Sequence, residues 1–193
     1  SITVQAMNGG AETVVALGVS GSKANSVALS ASVGIITDSA NAYIENSTIT
    51  GASTGVNRAL EVDAYQTADI AIGGGALYVS GGKVGIGLTM AYASIADPTG
   101  GKATDAHIRQ TSISNYDTLL VLAENAGVIA AGAASGGLAT SGNALSGAIV
   151  VDEISPTTTA YINSGSTVTI SVGGVTVLAD SGSVSTQYLD TVL

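Results

Sequence analysis

The side chains able to do chemistry are few and thinly spread. Two acidic pairs stand out, Glu61 with Asp63 and Asp152 with Glu153. Paired carboxylates a few ångströms apart are what glycoside hydrolysis needs, one as acid and one as base or nucleophile. A lyase needs a strong base beside acidic metal ligands. Glu61 and Asp63 alternate with Leu60 and Val62, so they share the outward face of one strand. That is also the pattern of an ordinary solvated face. His107 is the single histidine. One histidine without a spaced nucleophile and acid makes no catalytic triad. Asp38, Asp97 and Asp152 each precede a loop, and turn formation accounts for them better than calcium. Gly73-Gly-Gly75 and Gly81-Gly82 lack the Gly-Lys-Ser/Thr of a phosphate loop. The residues therefore predict no catalytic set, no metal site and no cofactor.

The elements that must carry these residues follow from a repeat. Ile2-Thr-Val-Gln-Ala6, Leu60-Glu-Val-Asp-Ala64, Leu119-Leu-Val-Leu-Ala123 and Val175-Thr-Val-Leu-Ala179 end on alanines 58, 59 and 56 residues apart. Ala42-Tyr-Ile-Glu-Asn-Ser-Thr-Ile-Thr50 returns as Ala106-His-Ile-Arg-Gln-Thr-Ser-Ile-Ser114. It returns again, with one extra residue, as Ala160-Tyr-Ile-Asn-Ser-Gly-Ser-Thr-Val-Thr169. A third match is Ile36-Thr-Asp38, Ile95-Ala-Asp97 and Val150-Val-Asp152. His107 thus occupies the place of Tyr43 and Tyr161, and Arg109 that of Glu45 and Asn163.

Successive landmark alanines, from Ala6 to Ala179, span 173 residues, which divides into nine steps of about 19. Period-two alternation, frequent Val, Ile and Thr, and Gly-Gly or Ser-Gly breaks make the local pattern β. Val128–Ser135 is rich in alanine, yet its glycine and its match to Asp69–Gly75 favour a strand. The expected fold is all-β, a right-handed parallel β-helix of about ten rungs of ~19 residues, three rungs per ~57-residue repeat. It forms one domain over residues 1–193, read as a fragment of a longer repeat protein. At ~4.8 Å per rung such a rod is roughly 45–50 Å long.

Composition agrees. The chain has 26 glycines, no Cys, Trp or Phe, and 46% hydrophobic residues, so slim aliphatic side chains fill the core. Without cysteine there is no disulfide and no thiolate metal site. Five Lys and Arg against fourteen Asp and Glu argue against nucleic acid as a partner. No apolar run is long enough to cross a membrane as a helix, so no membrane insertion is expected.

The repeat Ala-Tyr-Ile-x-x-Ser-Thr-Ile-Thr, followed by an alternating strand that closes on Ala, resembles the repeats of filamentous haemagglutinin-like and leukotoxin-like exoproteins of Gram-negative bacteria. The resemblance covers essentially the whole chain and rests on repeat texture. It implies a right-handed β-helix in a large secreted or cell-surface adhesin. The function so implied is a non-enzymatic structural or adhesive rod binding a glycan or protein of a cell surface or matrix. The alternatives are a carbohydrate-active β-helix enzyme and an extracellular filament subunit that self-associates end to end through exposed rung edges.

The most individual segment is the loop Asp97-Pro-Thr-Gly-Gly-Lys-Ala-Thr-Asp105, which lengthens its interval to 42 residues against 36 and 37 in its sisters. Insertions in solenoids map to surface loops and binding faces. Asp97, Thr99, Lys102, Thr104 and Asp105 are accordingly the expected partner-binding residues. The Thr-Ile-Thr50, Ser-Ile-Ser114 and Thr-Val-Thr169 triplets form a hydroxyl array expected on every third rung only.

Overall fold

Inward and outward residues alternate along nearly every strand, as period-two patterning requires. The computed structural model describes residues 1–54, 57–182 and 184–192, the last stretch by backbone alone. It contains fourteen strands and, among the described residues, no helix. The first coil runs β1 (Ile2–Ser22), β2 (Ser26–Ile36), β3 (Ala40–Glu45) and β4 (Thr48–Thr50). The second repeats this as β5 (Ala59–Ser80), β6 (Val84–Ala96), β7 (Thr104–Arg109) and β8 (Ser112–Tyr116). The third is β9 (Thr118–Ala139), β10 (Asn143–Ser155), β11 (Thr158–Ile162) and β12 (Thr167–Ile170). β13 (Val175–Ser181) and β14 (Val184–Val192) begin a fourth coil, and both lie on β9.

Each strand pairs in parallel with its counterpart one coil away, giving four sheets: β1-β5-β9-β13, β2-β6-β10, β3-β7-β11 and β4-β8-β12. The parallel β-helix expected from the sequence is the fold.

The register revises the coil. Leu60 lies on Ile2, Leu119 on Leu60 and Val175 on Leu119, so one coil takes 58, 59 or 56 residues. The repeat is a single coil and not three rungs of ~19. Ala6, Ala64, Ala123 and Ala179 form one vertical file, and Ala42, Ala106 and Ala160 another. The ~19-residue step was the walk from one file to the other across the same coil. The stack is therefore wide and short, about 14 Å from first strand to fourth, and not a rod of 45–50 Å. The third landmark also shifts. Ile154 sits on Ile95, which removes Asp152 from the file of Asp38 and Asp97.

Inside the coil the core has two main compartments. One gathers Leu60, Val62, Ile108, Ile113, Leu119 and Val121 between the four sheets. The other lies between the C-terminal halves of the long strands and the β2-β6-β10 sheet, and includes Ile70, Ile72, Ile95 and Ile129. The two sheets close to a thin blade here. A Cβ on Gly18 would lie 2.2 Å from the Leu29 carbonyl oxygen, so only glycine permits that approach. An amide file separates the compartments. Gln66 stacks on Asn8 and below Asn125. Gln66 Nε2 donates to the Asp38 carbonyl at 3.0 Å and Asn8 Nδ2 to that of Ser39 at 3.1 Å, so the buried amides are satisfied by the turn between β2 and β3. Slim aliphatics do fill most of the lumen, and Tyr78 and Tyr116 are buried among them.

Corners between the third and fourth sheets use left-handed backbone. Asn46 (φ 50°) and Gln110 (φ 49°) follow strands in register, and Gly165 (φ 84°) serves the longer third corner. Asparagine and glycine tolerate this region best and hold the first and third corners, while Gln110 holds the second.

Candidate functional site

β3, β7 and β11 bring Tyr43, His107 and Tyr161 into one outward file. Coil spacing makes the three rings stack. Tyr43 and His107 are 5.3 Å apart at 11°, and His107 and Tyr161 are 4.9 Å apart at 3°. Carboxylates flank the central imidazole. His107 Nδ1 is 2.6 Å from Asp105 Oδ2, and Nε2 is 3.0 Å from Glu45 Oε1. Both ring nitrogens therefore face carboxylate oxygens, one from its own strand and one from the coil before. The network extends at each end. Arg109 Nε lies 2.9 Å from Glu45, while Lys102 Nζ reaches Asp105 at 3.2 Å and Thr159 Oγ1 at 2.9 Å. Lys102 also stands 5.0 Å from the Tyr161 ring centroid, and Thr159 donates to Asp105.

The electrostatics follow from these partners. Burial alone would raise the Asp105 carboxyl, but hydrogen bonds from Thr159, Lys102 and His107 outweigh it and hold the group below its ordinary value. The hydrogen bond from His107 is the main cause lowering Glu45, with burial opposing and Arg109 assisting.

The long loop closes over this file. Gly101 N donates to the Pro98 carbonyl at 3.0 Å, and Gly100 turns with φ 75°. Between loop and file lies an open cleft of about 490 Å³, lined by Asn41, Tyr43, Lys102, Asp105, His107 and Tyr161, with Gly100 and Gly101 at its edge.

Of the expected partner-binding residues, Lys102 and Asp105 line the cleft. Thr99 is exposed at the loop tip. Asp97 ties the loop down: it accepts from Ala103 N at 2.9 Å, Thr157 N at 2.6 Å and Thr157 Oγ1 at 2.5 Å. Thr104 faces the interior, bonded to Gln66 and Asn125, and is removed from any contact surface. Tyr43, His107, Tyr161 and Glu45 are the residues sequence reading passed over. Their file was legible, but a three-rung separation would have kept the rings about 14 Å apart.

Glu61 and Asp63 face outward beside Thr3 and Gln5, whose side chains donate to them at 3.5 and 3.0 Å. Asp152 and Glu153 fall on opposite faces of β10, and Glu153 accepts from Tyr92 Oη at 3.1 Å. Among the described residues no group of three or more His, Cys, Asp or Glu is placed to hold a metal ion. The hydroxyl triplets return on every coil, not on every third layer: Ser112 lies on Thr48 and under Thr167. One column is three deep, while the other pairs only Ser114 with Thr50, because the register shifts between Val168 and Ile170.

No protein-family model, curated protein or solved structure matches the chain.

Proposed function

We propose that the chain is a structural and adhesive segment of a large secreted or cell-surface repeat protein. It acts without catalysis, and the cleft beside the Tyr43–His107–Tyr161 file contacts a glycan or protein of a cell surface or matrix. The observation that carries the reading is the coincidence of the lengthened loop with the one stacked aromatic–charge file among the described residues, on the flank of an otherwise regular coil stack. Exposed Tyr43 and the half-exposed Lys102 offer an amphipathic surface, the kind enriched at recognition sites. The resemblance to filamentous haemagglutinin-like and leukotoxin-like exoproteins supports the same function and an extracellular location.

The charge network favours binding over turnover. Both imidazole nitrogens are occupied by carboxylates, and Asp105 and Glu45 are held ionised by their partners. A general base needs a free nitrogen or carboxylate within reach of substrate.

The test is binding of the purified chain to immobilised matrix proteins, glycans and whole cells, beside a Tyr43→Ser variant and a variant with residues 98–102 shortened. Wild type binds, and both variants lose most of that binding while retaining their β circular dichroism. Equal binding by all three proteins would defeat the assignment of the cleft. Turnover of acidic polysaccharide by the chain would replace the adhesive reading with the enzymatic one.

A further inference from the structure

We infer that the ligand of the cleft is an acidic polysaccharide, held by Lys102 and Arg109 on either side of the Tyr43–His107–Tyr161 file. This rests on the reading of the cleft as a contact site and names what it contacts. Two further files flank the rings on the same sheet. Asn41, Asp105 and Thr159 stand on one side, Glu45 and Arg109 on the other. Lys102 reaches the first of these from the loop, through Asp105 and Thr159. The side chains of Lys102 and Arg109 are 39% and 47% exposed. Both belong to the middle coil, which has a coil on each side, so their exposure is not an effect of the outermost strands.

Unspent hydrogen-bond donors set the sign of the ligand. The carboxylate lining the cleft is fully used: Asp105 Oδ1 takes Lys102 and Thr159, and Oδ2 faces His107. Donors remain. Lys102 uses two of the three N–H groups an ammonium carries. Arg109 uses Nε on Glu45, and its two terminal nitrogens have no partner among the described residues. A guanidinium edge of that kind binds an oxyanion through two oxygens at once. Charge agrees. Of fourteen acidic and five basic residues, Glu45, Asp105, Lys102 and Arg109 lie here, two of each, which leaves twelve against three for the rest of the chain. An anion therefore meets less repulsion at this face than over the remainder of the surface.

Spacing makes the ligand a polymer of sugars. Alternate residues of a strand are roughly 6.6 Å apart, so the outer two files lie about 13 Å from each other. One carboxylate or sulfate cannot touch both cations, whereas successive acidic groups of one polymer can. A peptide fits less well. β7 is paired on both edges, so it offers no main-chain pairing, and none of the residues lining the cleft is aliphatic, so no pocket awaits an apolar anchor. Tyr43, Tyr161 and Asn41 supply neutral polar groups of the kind that meet sugar hydroxyls.

Biolayer interferometry of the purified chain against immobilised hyaluronate, dextran sulfate, neutral dextran and poly-L-glutamate tests this. Hyaluronate presents carboxylates and dextran sulfate presents sulfates, and the stronger of the two names the acidic group. The wild type should bind at least one of them, less tightly as sodium chloride rises, and should bind dextran and poly-L-glutamate far more weakly. Lys102→Met and Arg109→Gln should each weaken that binding at least about tenfold, the scale of one hydrogen bond to a charged group. Arg109→Lys keeps the charge without the fork and should recover only part of the loss. Lys23→Met with Lys83→Met removes two charges from turns that border neither β3 nor β7. That double variant should stay within about twofold of wild type, because distant exposed charges are screened. Where Lys102→Met loses its β circular dichroism, Arg109→Gln decides. Undiminished binding by the single variants overturns the inference, as does an equal loss in the double variant or a preference for dextran or poly-L-glutamate. Binding to none of the four polymers overturns it too. In that event, cell or matrix binding that depends on Tyr43 leaves the contact site standing, and its absence removes both.

Discussion

Replacing Tyr78 by phenylalanine is expected to stabilise the protein. Tyr78 is 1% exposed, and its hydroxyl is buried without a hydrogen-bond partner. An unpaired hydroxyl in an apolar setting costs about 1–3 kcal/mol. Removing it while keeping the ring should return about 1 kcal/mol or more. The ring itself is hard to replace, since a Tyr78→Ala cavity costs roughly 3–5 kcal/mol by analogy with other large aromatics. Its seat is made by glycine: a Cβ on Gly85 would lie 2.2 Å from Tyr78 Cε2 and 2.5 Å from Cδ2. Gly85→Ala therefore overpacks the site, at about 1–3 kcal/mol. With the ring gone the added methyl enters the vacated space. Gly85→Ala should then be neutral or favourable in a Tyr78→Ala background, a coupling of about 1–3 kcal/mol. Urea unfolding followed by circular dichroism measures each corner of the cycle. At a slope of roughly 1–3 kcal/mol/M, a change of 1 kcal/mol moves the midpoint by about 0.3–1 M. A lower midpoint for Tyr78→Phe, or simple additivity of the two alanine substitutions, would refute the packing described here.

Three further outcomes follow from buried and charged ties. Gln66→Leu should lower stability by about 1–3 kcal/mol, because it removes the donor to the Asp38 carbonyl and the acceptor that Thr104 and Asn125 share; urea midpoints read this directly. Burial opposes ionisation of Asp97, but hydrogen bonds from Thr157 and Ala103 hold its carboxyl below the ordinary 3.8. A carboxyl depressed in the folded state contributes stability above its unfolded value and loses it as pH falls toward the folded one. The midpoint should therefore drop as pH falls through the ordinary 3.8 and below, and Asp97→Asn should lower it at neutral pH and flatten that drop. Arg58 grips Asp117 through Nη2 at 2.7 Å and Nε at 3.4 Å and also bonds the Ala52 carbonyl at 2.7 Å. Arg58→Lys keeps the charge but loses the fork, so the thermal midpoint should fall even though net charge is unchanged.

Much of the fold was legible because a coil stack writes its registers into the chain. Residues stacked on one another in neighbouring coils meet the same surroundings, so Ala6, Ala64, Ala123 and Ala179 recur at near-constant intervals. The candidate site was half legible. The lengthened loop pointed to Lys102 and Asp105, and the file of Tyr43, His107 and Tyr161 was visible as a substitution series. Thr104 was misplaced because alternation by itself does not say which set of a strand faces the core.

Composition and periodicity alone determined the class: extended, parallel, aliphatic-cored and repetitive. The length of a coil was decided only by tertiary pairing. Two files on opposite walls of one coil and two files on successive coils leave the same spacing in a sequence, and hydrogen bonds between strands tell them apart. The stacked imidazole, the amide file through the interior and the glycine seat of Tyr78 all depend on that choice. Each is a contact between residues tens of positions apart, brought together at about 4.8 Å by the closing of the coil.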